Sequence, residues 1–244
     1  MKRTSLLVLL LLPGLAAWAQ QPDSLSFIRS KRMSDADLAK KREGTFVTGL
    51  PDLSSDPVTG FGVGVKSNIY WNGTRANPLF AYTPYLAHLK ANVAYYTTNA
   101  RELSLSADVP YYRGSRWRFR VDFKAQQNPA NLYFGLDETT LGPLRLPSDP
   151  TRTFATYADY NAARKRLRPG QAGEAPLVSD ALSNRFRETE FMLNLKADYA
   201  LGKGRWRVMG GYELQNLQYK TFTGTRTDAI NPVTGSTEKA PNGQ

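Results

Sequence analysis

The feature that most constrains this chain is a strict two-residue alternation of apolar and polar side chains, sustained over runs of about ten residues. Phe61, Val63, Val65, Ile69 and Trp71 share one parity, opposite Gly60, Gly62, Gly64, Lys66 and Asn68. Ala87, Leu89, Ala91, Val93 and Tyr95 oppose His88, Lys90 and Asn92. Leu103, Leu105, Ala107, Val109 and Tyr111 oppose Glu102, Ser104, Ser106 and Asp108. Trp117, Phe119, Val121 and Phe123 oppose Arg116, Arg118, Arg120, Asp122 and Lys124. Phe191 to Tyr199 and Trp206 to Leu214 repeat the pattern, and Thr45 to Leu50 reads as a short first strand before a loop at Leu53 to Asp56. A period of two is the signature of a strand with one buried and one wet face. Seven such runs predict an all-β, antiparallel architecture.

The runs are longer than the five or six residues usual in globular sheets. They fit the nine to eleven that cross a bilayer at a tilt. The polar parity carries full charges in rows, so that face must be wet. The apolar parity ends in rings at the strand tips (Trp71, Tyr95, Tyr111, Trp117, Tyr199, Trp206), where amphipathic aromatics suit a membrane interface. A soluble one-sided sheet would also alternate, but it needs another layer over its apolar face. No helical segment in the sequence is large enough to supply one. The expected fold is therefore a transmembrane antiparallel β-barrel, with residues 44–244 as its N-terminal part.

The first residues agree. Lys2 and Arg3, the apolar run Leu6 to Leu12, and Ala17-Trp18-Ala19 before Gln20 make a secretory signal peptide over 1–19. Residues 20–43 read as a short periplasmic lead-in, weakly helical from a Ser34 N-cap through Leu38 and Ala39. The chain has 32 Lys+Arg against 21 Asp+Glu, a net charge of +11. In a soluble protein that balance would suggest nucleic acid; export points instead to outer-membrane lipid and lipopolysaccharide, or to a wet interior. With no Cys in the chain there is no disulfide framework, and no metal-ligand spacing or cofactor motif occurs.

Parity constrains the turns. Strands around Leu103 and Phe119 need an odd loop near Tyr112-Arg113-Gly114. One such register sets Asp108 against Arg118 and Glu102 against Lys124. The last two strands need an even loop, for which Gly202-Lys203 suits a two-residue II′ turn. Short turns belong on the periplasmic side, which places residues 128–185 outside as a long extracellular loop and Asn72 to Tyr85 on the periplasmic side. Within the long loop a helix is expected from an Asp149 cap and Pro150 to Leu167, before Pro169-Gly170. Its basic end (Arg164, Lys165, Arg166, Arg168) reads as a solvated face, or as a contact for lipopolysaccharide phosphates.

Four segments together resemble a known group: Gly44 to Pro51 (GTFVTGLP), Ser55 to Gly64 (SDPVTGFGVG), Asn77 to Tyr85 (NPLFAYTPY) and Asn131 to Leu136 (NLYFGL). They are similar to the Bacteroidetes branch of BamA/TamA-type outer-membrane assembly factors, the surface-antigen barrels. The resemblance covers roughly residues 44–220. It implies a sixteen-stranded barrel whose first and last strands meet at a weak seam. In the assembly factors that seam opens and templates incoming strands, with unfolded outer-membrane proteins and accessory subunits as partners. The edge strand would be Thr45, Phe46, Val47, Thr48, Gly49 and Leu50. Two family features are absent: periplasmic POTRA domains, since only residues 20–43 precede the first strand, and the inward-loop Arg-Gly-Phe/Tyr motif. Seven strands and a polar finish at Pro241 to Gln244 also suggest a piece of a larger barrel.

Two other function classes compete with assembly. A passive, anion-preferring porin or structural barrel would use the lumenal basic row Lys66, Lys90, Arg116, Arg118 and Arg120, with Arg205 and Arg207 further along. An outer-membrane hydrolase would need a nucleophile beside a base. The only His is His88 on the polar parity, with Ser104 or Ser106 as candidate neighbours, and a structural lumenal role suits it better. No catalytic, cofactor-binding or metal-binding residue is assigned, and the chain is not expected to be an enzyme.

Overall fold

The computed structural model describes residues 22–135, 142–168, 178–222 and 226–241. The signal peptide expected at 1–19, Pro169-Gly170 and Leu136 lie outside the described residues. After a 3₁₀ helix (Pro22–Lys31) and helix α1 (Asp35–Lys40) come strands β1 (Gly44–Asp56), β2 (Gly60–Gly73), β3 (Ala87–Tyr96), β4 (Arg101–Val109) and β5 (Trp117–Leu132). An excursion holds β6 (Leu144–Leu146), β7 (Asp149–Phe154), α2 (Tyr157–Arg164), β8 (Leu167–Arg168) and β9 (Val178–Ser179). Then follow β10 (Arg185–Leu201), β11 (Trp206–Thr221) and the hairpin β12 (Arg226–Ile230) and β13 (Thr237–Pro241).

The long strands form one seven-stranded antiparallel sheet in the order β1-β2-β3-β4-β5-β10-β11. Each strand pairs with its neighbour in sequence, the excursion aside. Among the described residues no helix is long and apolar enough to cross a membrane. The sheet has two ends. The base carries residues 22–43, 74–86, 110–116 and 202–205; the rim carries the turns at 57–59 and 97–100 and the excursion.

Several strands outrun their sequence-based limits. β1 continues through Pro51 and through Leu53 to Asp56, which were expected as a loop. Proline breaks a strand by removing a ladder donor, and on an edge strand half of the donors face away from the only neighbour. β5 likewise passes Pro129, where the pairing with β10 slips between Phe186 and Glu188. A bulge there spares the ladder the missing donor.

Register also departs from expectation. Asp108 stands opposite Arg120, and Glu102 opposite Gln126, two residues beyond the expected alignment. The connection is longer because Tyr111 (φ 51) and Arg113 (φ 51) turn left-handed and form a 3₁₀ turn. Tyr111 consequently leaves the apolar face, where it was expected as an interfacial ring, and is buried. The last hairpin closes at Leu201 and Trp206, so its even loop is Gly202–Arg205 rather than a two-residue turn. Gly202 (φ 53) and Gly204 (φ 74) supply its left-handed positions.

The lead-in is more structured than its composition suggested. Leu25, Phe27 and Ile28 bury themselves against Leu79, Tyr111 and Ala200, with Tyr82 and Leu86 alongside. Residues 22–43 thus form a strap across the base, held by Met33 N–H to the Ala81 carbonyl (2.9 Å) and by Asn72 Nδ2 to the Arg42 carbonyl (2.7 Å). Ser34 caps α1 as expected, accepting from Asp37 N–H at 3.1 Å. The length of the 74–86 connection now has a reason: it is the strap's docking surface.

Ile28 is fully buried. Ile28→Ala is expected to cost about 2–4 kcal/mol of strap docking. Trypsin cleavage at Lys31 and Arg32, followed by mass spectrometry, should accelerate roughly 30-fold or more as the strap opens locally. An unchanged cleavage rate would show that the strap does not depend on this contact.

In the excursion, the helix expected to begin at Asp149-Pro150 begins at Tyr157. Asp149–Phe154 is strand instead, pairing with Leu144–Leu146. Thr156 is the cap, accepting from Asp159 N–H at 3.2 Å. Arg164, expected on a solvated face, is wholly buried. Its Nε donates to the Asp180 carbonyl at 3.1 Å and Nη2 to the Ser183 carbonyl, with the guanidinium over the Tyr160 ring. Arg168 pairs with Asp149 at 3.1 Å.

Candidate functional site

Three surfaces of the sheet carry its chemistry: the polar face, the apolar face and the free edge of β1. On the polar face the basic row is largely matched by acids. Lys66 pairs with Asp52 at 2.8 Å. Arg118 grips Asp108 with two bonds, Nε to Oδ1 at 2.7 Å and Nη2 to Oδ2 at 2.6 Å. The charge pair expected by register is therefore made, but diagonally. Arg120 reaches Asp198 at 3.2 Å, which Arg207 also contacts. Arg116 donates to the Ala200 and Gly202 carbonyls (3.2 and 2.7 Å) and lies over the Phe27 ring. Lys90 is exposed and makes no ion pair among the described residues.

Further toward the rim, Lys196 meets Asp122 at 3.2 Å and Lys124 meets Glu190 at 3.0 Å. The expected Glu102–Lys124 pair does not form, because Glu102 accepts instead from Asn92 at 3.2 Å. The polar face is thus a zipped set of cross-strand ion pairs with little bare positive charge. Paired charges of this kind stiffen a wet face and set strand register.

An aromatic column lies beside this ladder. Phe46 stacks on Tyr70 (centroids 4.8 Å), and Tyr70 on His88 (4.4 Å). His88 Nε2 bonds Asn68 Oδ1 at 3.0 Å, and its cross-strand partner is Asp108. Ser104 and Ser106 stand opposite Asn92 and Lys90 instead, and Ser106 donates to Asp122 at 2.6 Å. The register therefore separates them from the histidine, and the His–Ser pairing considered from sequence is not formed. Tyr85, in the base connection, donates to Asp108 at 2.7 Å. Burial, and then that hydrogen bond, push its phenol up to about 12, so it stays a donor at ordinary pH.

The apolar face is uncovered. Val63, Val65, Val93, Val121 and Leu195 each leave a third or more of their surface open, and Trp206 leaves 77%. At the base the rings cluster: Trp117 meets Tyr199 edge-on at 4.9 Å and stacks over Phe119. An apolar surface of this extent marks an interaction face or a lipid face.

The free edge is β1, whose only ladder partner is β2; β11 is the opposite edge. Thr45 to Leu50 pair with Trp71 to Lys66, leaving their other side without a strand. Val47 and Leu50 are 65% and 73% exposed. The segment that the resemblance would make the seam edge, Thr45 to Leu50, is the first half of β1, which continues to Asp56.

At the base, Lys41 Nζ donates to the Phe80 and Thr83 carbonyls (both 2.6 Å) and sits 4.1 Å from the Phe80 ring centroid. Burial holds its ammonium down at about 8, against the pull of the carbonyls and ring, which favour the charge. Between that value and the ordinary lysine range the unfolded state binds more protons than the folded one. Stability of the strap should therefore rise as pH climbs from about 8 to 10.5 and level off beyond. Hydrogen exchange of the 79–83 amides in wild type and Lys41→Met, corrected for intrinsic rate, would show the rise only in wild type.

Among known proteins, no curated protein and no solved structure matches the chain. Residues 23–86, which comprise the strap, the β1–β2 hairpin and the connection that docks the strap, match the family model described as a domain of unknown function, DUF5982.

Proposed function

We propose that this chain contributes seven consecutive strands to an outer-membrane β-barrel, with the apolar face toward lipid and the ion-paired face toward a wet lumen. The observation that carries the reading is the pairing of those two faces on one sheet. Along the sheet Val63, Val93, Phe119, Leu195 and Trp206 stand bare on one side, while on the other side ion pairs link β4 to β5, β5 to β10 and β10 to β11. Lipid satisfies the first face at no cost, and water or closure satisfies the second. Strap and base turns would lie in the periplasm and the excursion outside. The unpaired edges of β1 and β11 call for further strands, since open edges are not tolerated in hydrocarbon.

Within such a barrel the role best supported is assembly or insertion of other outer-membrane proteins by lateral strand addition. β1 is a free edge rich in Thr and Gly, and Thr45 to Leu50 is a proline-free stretch whose backbone groups are available to pair. The resemblance to BamA/TamA-type barrels points the same way. The porin reading draws less support, because three of the five cations of the basic row, Lys66, Arg118 and Arg120, are paired with Asp52, Asp108 and Asp198. Two measurements separate the layers of this proposal. The full chain should float with phosphatidylcholine vesicles; failure to do so sinks the membrane reading. Depleting it in its host should lower the levels of other outer-membrane barrels, and unchanged levels would sink the assembly role alone.

A further inference from the structure

At the base, beside the start of the free edge, lies a cavity of about 540 Å³. Its walls include Lys40, Lys41, Arg42, Phe46, Val47 and Asn72. Three consecutive cations therefore line one hollow, and none of them pairs with a carboxylate among the described residues. The nearest acid in sequence, Glu43, is engaged by Arg75 at 3.0 Å. Lys41 turns to backbone carbonyls, while Lys40 and Arg42 are exposed. Asn72 is almost wholly buried; its Nδ2 serves the Arg42 carbonyl, and its Oδ1 has no partner.

The opposite wall belongs to β1. Phe46 lies on the polar parity, whereas Val47 lies on the apolar parity with most of its surface open. One hollow thus joins an uncompensated positive cluster to the rim of the apolar face. That combination matches an anionic amphiphile, with its charge at the cluster and its chains along the sheet.

We infer that this base pocket binds the phosphate of a phospholipid headgroup, gripped by Lys40 and Arg42, with the acyl chains running over Val47. The inference rests on the lipid-facing reading of the apolar side. It gives the strap a second task beside closing the base: it carries the cations that fix a lipid against the first strand. Every residue named in the pocket falls within 23–86, the segment matched by the family.

The test uses the full chain in non-ionic micelles and native mass spectrometry of bound species. The probes are dioleoylphosphatidylglycerol, dioleoylglycerol and inorganic phosphate. One phosphatidylglycerol should be retained per chain, with neither other probe above background. The double variant Lys40→Gln/Arg42→Gln keeps the Asn72 bond, which uses a backbone carbonyl. It should weaken retention roughly tenfold or more. Lys203→Gln, a base cation outside the pocket, should leave retention unchanged.

Equal retention of dioleoylglycerol, equal binding of bare phosphate, or the same loss in Lys203→Gln and the double variant would each overturn the site. Flotation with phosphatidylcholine vesicles, which carry no net charge, separates the two levels. A chain that floats yet retains no phosphatidylglycerol refutes the pocket alone. A chain that does not float refutes the membrane reading beneath it.

Discussion

Val121→Arg is expected to destabilise the protein in phospholipid vesicles by about 2–4 kcal/mol, the range for a guanidinium on a lipid face near mid-bilayer. Val121 lies mid-sheet on the apolar parity, paired with Ala107 on one side and Leu195 on the other. It is 36% exposed in the isolated chain, so in water an arginine there could extend freely. A solvated site would shift stability by less than about 0.5 kcal/mol. The two environments thus give clearly separated outcomes for the same substitution. Urea unfolding of wild type and variant in neutral vesicles would read the difference, and Lys203→Arg at the base serves as a control expected to change little. A near-zero cost at Val121 would mean that water or a protein partner covers this face.

The second large effect falls on the other face. Asp198→Ala should cost about 1.5–3 kcal/mol, the range for losing hydrogen bonds between charged groups. The carboxylate side chain is only 4% exposed, and it holds both Arg120 and Arg207. Its loss would leave two guanidiniums facing each other with no counter-ion. Arg207 would keep Tyr111, to which Nη2 donates at 2.8 Å, so Arg120 should be the worse stranded. Adding Arg120→Met to Asp198→Ala should therefore recover part of the loss. Unfolding midpoints of the two single variants and the double variant close the cycle. If the double variant is no better than Asp198→Ala, the pair is not coupled as the geometry indicates.

The centres of the strands were legible because alternation reports face directly, and face does not depend on which strand is the neighbour. Strand limits were not: β10 and β11 run several residues past their alternating centres, and two other misreadings occur at prolines. Pro51 and Pro129 look like terminators to a local reading. Pro51 is tolerated because β1 is an edge, and Pro129 because a bulge absorbs it. Both facts concern the neighbouring strand and leave no trace near the proline itself. Of the candidate site, the basic row was visible as positive charge, but its neutralisation was not. Asp108 and Arg118 lie close in sequence and could be paired by parity. Asp198, by contrast, is 78 residues from Arg120 and meets it only because β5 and β10 are adjacent.

The period-two strands, their two faces, the parity of the turns near Tyr112 and Gly202, and the Ser34 cap were all readable from residue order alone. These are set by side-chain chemistry within one strand or one helical turn, and such short-range preferences hold whatever the rest of the chain does. The register, the burial of Tyr111 and Arg164, and the docking of the strap onto residues 74–86 arise only in the folded chain. Each of those depends on contacts between segments distant in the chain, whose free energy appears only once the partners are brought together. The strap shows this most plainly: Leu25, Phe27 and Ile28 are too few to form a core alone, and they fold because the base of the sheet offers Leu79, Tyr111 and Ala200 to cover them.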